Sequence, residues 1–297
     1  MVSADPHNRR GILLMIAAYA FFSLLDASAK SLLPYLSPPT LVFLRYFIGL
    51  LFAMGGVLMA RDLELFRSAS PKTQFVRGVL LLASTAFNFS ALQYLQLAQT
   101  AAIMFSNPLW VCALSHIMLK ERVGPRRWGA VLVGFLGVMI IMRPGFGSFH
   151  WAMILSLLAA LCGALYQLTT RRVGADDRSG TSLVYGTLWG TVCALPMTAL
   201  SFEIPAGMQW PLIVFAGFCG SFGHYLLIAA HRLAPASLLA PYSYTQIVWM
   251  TGLGYALFGQ TPDGLTLLGA LIVVMSGLYV FHRERLTGAL GRYPGKT

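Results

Sequence analysis

Charged side chains are scarce in this sequence. They make up 10% of its 297 residues, where about a quarter is usual for a soluble domain. Acids are scarcer still, ten against 21 Lys and Arg. A water-soluble globule of this length needs more surface polarity, so that class is excluded. Cysteine is nearly absent too. Cys112, Cys162, Cys193 and Cys219 all fall inside apolar blocks, and no spacing fits a disulfide framework or a zinc site. No Walker A run, His-Glu-x-x-His motif or Ser-His-Asp pattern is present. The expectation is therefore a protein that is not an enzyme, with no cofactor and no metal. His116 and His224 stand alone, without a His, Cys or acidic companion at ligand spacing.

What is present is long apolar runs. Hydrophobic residues make up 57% of the chain and the mean hydropathy is +0.69. The runs are separated by short polar links, which reads as membrane spans of roughly 20 residues each. Approximate spans fall at 11–33, 40–60, 75–93, 98–119, 128–142, 151–170, 181–200, 210–230, 236–258 and 265–282. The stretch 128–142 is short for a full crossing, and Gly129, Gly134 and Gly137 mark it as closely packed. The leader before residue 11 lacks a cleavage site, so the first run is expected to stay as a span.

The net charge of +11 gives no stripe of the kind nucleic acid requires, and no nucleic-acid partner is expected. With the amino terminus inside, every Lys and Arg except Lys30, Arg45 and Arg143 falls in a cytoplasmic segment. That is the positive-inside pattern, and a missed or invented span would destroy it. The sequence thus predicts a multi-pass protein of a bacterial inner membrane with both termini cytoplasmic and the lipid bilayer as its solvent.

A repeat lies beneath these spans. Leu97-Ala98-Gln99-Thr100-Ala101 and Ser106-Asn107-Pro108 lead through an apolar helix to Lys120-Glu121. Leu233-Ala234-Pro235-Ala236-Ser237 and Pro241-Tyr242-Ser243-Tyr244 lead likewise to Gly259-Gln260. Five spans per half is an odd number, so the second copy enters the membrane inverted. The expected fold class is an all-α polytopic membrane protein of ten transmembrane helices in two inverted five-helix repeats, residues 1–145 and 146–297. One chain holds both halves, so a working monomer is plausible. Such symmetry suits alternating access.

The chain resembles the EamA-type transporters of the drug/metabolite transporter superfamily. The resemblance rests on Ala29-Lys30, Arg45-Tyr46, the Leu-Ala-Gln-Thr-Ala-Ala run at 97–102, Asn107-Pro108 and Leu-Lys-Glu at 119–121, in that order. It implies a secondary transporter with a central cavity between the halves. It points first to export of amino acids, including neutral or aromatic ones, and alternatively to import or exchange of a vitamin-like or nucleotide-like metabolite. Gln260 stands where the first half has Glu121, so a role needing a carboxylate is not duplicated.

Asp26 and Lys30 share a face of the first span, and Arg45 lies at similar depth in the second. Each costs about 2.5–3.5 kcal/mol at mid-membrane, so they are expected inside the protein and partnered. An Asp26–Arg45 or Asp26–Lys30 contact is expected, either as a gate touching cargo or as a fixed pair orienting two helices. Proton coupling through Asp26 is open, although no second buried carboxylate supports a relay. Asn88, Trp110, Tyr166, Trp189, Tyr244 and Gln246 are the cavity candidates, polar or aromatic groups at mid-depth. Asn107, Pro108 and Pro241 lie inside spans, where proline removes an amide donor and permits a hinge.

Overall fold

The computed structural model describes residues 6–118, 124–144, 149–173, 177–199, 202–234 and 239–286. Among them are helices α1 (Pro6–Leu32), α2 (Pro38–Ala60), α3 (Pro71–Leu92), α4 (Leu97–Met104) and α5 (Asn107–Met118). Then come α6 (Pro125–Met142), α7 (Ala152–Val173), α8 (Ser179–Thr198), α9 (Trp210–Leu233), α10 (Gln246–Phe258) and α11 (Gly264–Leu286). Short 3-10 turns occupy Leu63–Phe66, Gly207–Gln209 and Ala240–Thr245, and no strand occurs among the described residues. In a bilayer only helices or closed barrels satisfy every backbone group, which is why so apolar a chain is helical throughout. Proline opens α2, α3, α6 and α9, where its missing amide would be unpaired in any case.

Eight helical segments are long and apolar enough to cross a membrane, with α4 and α5 taken together as Leu97–Met118. The chain is therefore a polytopic helical membrane protein. The expected spans at 181–200 and 236–258 correspond to α8 and to the Ala240–Thr245 turn followed by α10, which lie outside those eight. The short span expected at 128–142 begins earlier, at Pro125, and reaches 18 residues.

The span expected as one helix over 98–119 is broken. α4 ends at Met104 and α5 starts afresh at Asn107, so Pro108 occupies the opening turn of a new helix instead of kinking a continuous one. Pro241 sits near the start of the 3-10 turn that precedes α10. Leu119-Lys120-Glu121 and Pro235-Ala236-Ser237 lie outside the described residues. Gln260 is described: its side-chain oxygen accepts the Leu97 amide at 3.2 Å, capping an orphan donor at the start of α4.

Helix pairing is reciprocal between the halves. α1 packs on α9 as α7 packs on α3; α2 meets α9 as α8 meets α3; α1 meets α10 as α7 meets α4 and α5. The remaining main pairs are α2 with α8, α4 with α10, and α6 with α11. At the α6–α11 crossing, a Cβ on Gly137 would lie 2.9 Å from the Gly269 carbonyl, and one on Gly269 2.7 Å from the Gly137 carbonyl. Close approach through small residues is how helices associate in lipid. Gly134 is likewise tight against Leu109, but Gly129 has open space around it, so the packing reading of the glycines fails there.

Candidate functional site

α3 carries the polar seam of the molecule. Gln74, Arg77, Ser84, Thr85 and Asn88 recur at helical spacing on one face, over about 21 Å of rise. Around that face stand α1, α2, α7 and α8.

At the amino-terminal end of the seam every polar group is taken. Arg77, 3% exposed, donates from Nε to Thr170 Oγ1 at 2.7 Å and from Nη2 to the Tyr166 hydroxyl at 2.9 Å. Its Nη1 donates to Gln74 Oε1 and, at 3.4 Å, to the Ser182 carbonyl. The guanidinium also lies 4.9 Å from the Tyr166 ring centroid. Gln74 Nε2 donates to Asp177 at 2.7 Å and to Ser182 Oγ at 3.1 Å. Asp177 further accepts from the Ser68 hydroxyl at 2.5 Å and the Ala69 amide at 2.7 Å. Burial pushes the Asp177 carboxyl up, but those donors and the nearby Arg77 charge outweigh it and hold it below the usual range. Beside it Arg178 pairs with Asp62 at 2.8 Å.

Midway, Tyr46 of α2 shares a 3.0 Å hydrogen bond with Thr85, and Ser84 donates to the Ala159 carbonyl of α7 at 2.8 Å. Asn107 docks the α4–α5 break on the same helix. Its amide donates to the Ala160 carbonyl at 3.0 Å and its oxygen accepts from Gln167 at 2.8 Å. On the α1 side Tyr19 hydrogen-bonds Ser243 in the turn before α10. The two interruptions are thus each tied by side chains to a neighbouring helix.

At the carboxy-terminal end the pattern changes. Asn88 Nδ2 donates to Asp26 Oδ1 at 3.0 Å, while Asn88 Oδ1 is enclosed without a partner among the described residues. Arg45 is 7% exposed and Asp26 8%. The Arg45 charge acts on Asp26, yet neither group is within ion-pair distance of an opposite charge among the described residues. The Arg45 guanidinium lies 4.3 Å from the Tyr46 ring centroid and against Gly220, where a Cβ would come within 3.2 Å of Nη2. Lys30 is engaged elsewhere. Its ammonium takes the Leu92 and Leu95 carbonyls at 2.8 and 2.6 Å, capping the end of α3. The expected contact of Asp26 with Lys30 is therefore replaced by an Asp26–Asn88 hydrogen bond. Lys30, Tyr35, Gln93, Tyr94 and Phe258 line a recess of about 540 Å³ beyond it.

The aromatic candidates divide. Tyr166 is on the seam. Trp110 packs its ring edge-on to Phe135 at 4.7 Å, and Trp189 meets Phe75 at 4.9 Å in the α3–α8 contact. Tyr244 packs on Phe105 at 5.1 Å and lies against Gly277 of α11. The Trp110 and Trp189 ring nitrogens and the Tyr244 hydroxyl are enclosed without partners among the described residues. Trp110 and Tyr244 sit between helices, whereas Trp189 packs against Gly78 of α3, one residue from Arg77. Gln246 is half-buried at the first position of α10. Arg77 is the residue sequence reasoning missed: its position after Pro71 and Lys72 makes it resemble a loop charge. The available signal was its helical register with Gln74 and Asn88. No group of three metal-ligating residues occurs among the described residues.

The EamA-like transporter family matches residues 9–143 and 150–281. The chain belongs to that family. A riboflavin transporter of Rhizobium johnstonii is 28% identical, with 92% of this chain and 91% of that protein covered. An S-adenosylmethionine uptake transporter of Rickettsia bellii is 26% identical over 74% of this chain and 75% of its own length. A pseudopaline exporter of Pseudomonas aeruginosa is 26% identical, covering 90% and 94%. A solved crystal structure at 22% identity superposes with a TM-score of 0.66 over 93% of this chain and 98% of its own, a likeness of fold. Membership of the EamA-like family makes this a transporter of small molecules across a bilayer, with no enzymatic role to assign to the seam.

Proposed function

We propose that this EamA-like protein is a secondary carrier of a small organic metabolite, working by alternating access between two inverted five-helix repeats. The observation that carries the reading is the polar seam of α3, a buried ladder of side chains at the contact between the halves. A membrane protein retains such groups at a cost of about 2.5–3.5 kcal/mol per mid-membrane charge, and they mark solute pathways by default. The reciprocal helix pairing supports the repeat, as does the family's match to 9–143 and again to 150–281. Ten spans follow if α8 and the Ala240–Phe258 segment also cross. The charge distribution then puts both termini in the cytoplasm of a bacterium, and Arg77 and Asp177 at the cytoplasmic end of the seam.

For the cargo, a ring-bearing metabolite of the vitamin or nucleoside type is placed ahead of simple amino acids. Relatives carry the names of riboflavin and S-adenosylmethionine transporters, both cargoes with a ring system. Amino-acid export is the second reading, favoured by the separated Asp26 and Arg45 charges. Counterflow in liposomes decides between them. The panel is riboflavin, S-adenosylmethionine, nucleosides, and neutral and aromatic amino acids. Saturable exchange of a ring-bearing metabolite is expected. Exchange of amino acids alone would reverse the order, and no exchange by folded protein, with or without a proton gradient, would refute the carrier.

A further inference from the structure

We propose that Asp26, Arg45 and Asn88 form a head-group site for cargo that carries a cation and an anion on neighbouring atoms, as the amino-acid end of a metabolite does. The inference rests on the carrier reading and assigns the charged part of its site.

Two buried opposite charges on adjacent helices ordinarily close on each other, because desolvation is recovered only at contact. Here they do not. Asp26 has one neutral hydrogen bond, from Asn88, and no cation within ion-pair distance among the described residues. Arg45 is held from below by the Tyr46 ring and from the side by Gly220, an arrangement that leaves it without a carboxylate. Lys30 is the only other basic residue within reach of Asp26 along α1, and two carbonyls hold its ammonium. Asn88 Oδ1 adds an enclosed acceptor with no donor among the described residues, beside the acid. A ligand ammonium offers the donors and positive charge that Asp26 and Asn88 lack. A ligand carboxylate offers the acceptors that a guanidinium binds through its fork. The head of an α-amino acid presents both groups a few ångströms apart. Arg77 provides the internal control: equally buried, it donates four of its five N–H groups to protein acceptors.

The test uses matched pairs on the whole protein in detergent, read by calorimetry, with counterflow on the same preparations in liposomes. One pair is S-adenosylhomocysteine and methylthioadenosine, both neutral thioethers of adenosine, of which only the first carries the amino-acid head. The second set is phenylalanine, phenethylamine and 3-phenylpropionate. In the wild type the head-bearing member of at least one set is expected to bind about tenfold tighter, a difference of about 1.4 kcal/mol. Asp26→Asn and Arg45→Gln should each erase that preference, and should also weaken phenethylamine and 3-phenylpropionate respectively, since each of these keeps one half of the head. The proposal is overturned if the wild type shows no preference in either set, or if both variants keep it. The wild-type comparison holds even if a variant folds poorly. Exchange of riboflavin without any head preference would sink the site and leave the carrier standing. Absence of exchange by every solute, with the head preference intact, would sink the carrier and leave the site.

Discussion

Arg45 and Arg77, buried on neighbouring helices, meet opposite surroundings. Arg77 on α3 is surrounded by Thr170, Gln74, Tyr166 and the Ser182 carbonyl, with Asp177 one residue beyond. Arg45 on α2 lies on a tyrosine ring beside a glycine, with its nearest acid out of contact. A largely saturated guanidinium stitches elements together: here it joins the first-half helix α3 to the second-half helices α7 and α8. An unsaturated one stores binding capacity. On the proposal made above, the difference separates a sealing part of the seam from a recognising part.

The comparison breaks most sharply at Arg77. Arg77→Leu removes four donated hydrogen bonds, three of them to other helices and each of those worth about 0.6 kcal/mol on average, so a loss of about 2 kcal/mol is expected in reversible unfolding. A loss below half that would mean the network is decorative. Arg45→Leu should leave stability within about 0.5 kcal/mol of wild type or raise it, since a desolvated unpaired charge is removed. Its counterflow should nevertheless drop about tenfold, equivalent to about 1.4 kcal/mol. A stability loss like that of Arg77→Leu would make the two arginines equivalent and end the distinction. Tyr166→Phe, which deletes one acceptor of Arg77 and keeps the ring, should cost about 0.6 kcal/mol and be silent in the Arg77→Leu background.

The smallest effect concerns pH. Asp263 is held down to about 2, chiefly by its hydrogen bond with Arg143 at 2.5 Å, beyond the ends of α6 and α11. A depressed carboxylate contributes stability that is complete above its unfolded value and is lost as pH falls through the folded one. Asp177 has the same sign, so acidification from about pH 4 towards pH 2 should weaken both loop contacts, by less than about 1 kcal/mol for such solvent-exposed pairs. Unfolding midpoints of Asp263→Asn should decline less steeply than wild type over that interval, and those of the double variant with Asp177→Asn less steeply again.

Much of the architecture was legible because lipid imposes simple rules. The long apolar runs became helices, as hydrophobicity and backbone satisfaction in lipid require. The break between α4 and α5 was only half legible. Pro108 signalled an interruption, but not that Asn107 would open a new helix and dock on the Ala160 carbonyl. The site was less legible still. Asp26, Arg45 and Asn88 are visible as polar residues in apolar runs, whereas their partners come from distant parts of the chain. Lys30 looks like a partner for Asp26 at helical spacing, yet the carbonyls freed at the end of α3 compete for it and win. Trp110, Trp189 and Tyr244 look like cavity residues by chemistry and depth, but a ring packs equally well between helices.

Hydrogen–deuterium exchange of the wild-type protein tests the central claim most directly, with and without whichever panel solute exchanges in counterflow. Cargo should slow exchange in the peptides carrying Asp26, Arg45 and Asn88 and leave those carrying Gln74 and Arg77 unchanged. Protection centred on Gln74 and Arg77, with none near Asp26 and Arg45, would contradict the assignment of sealing to one end of the seam and recognition to the other.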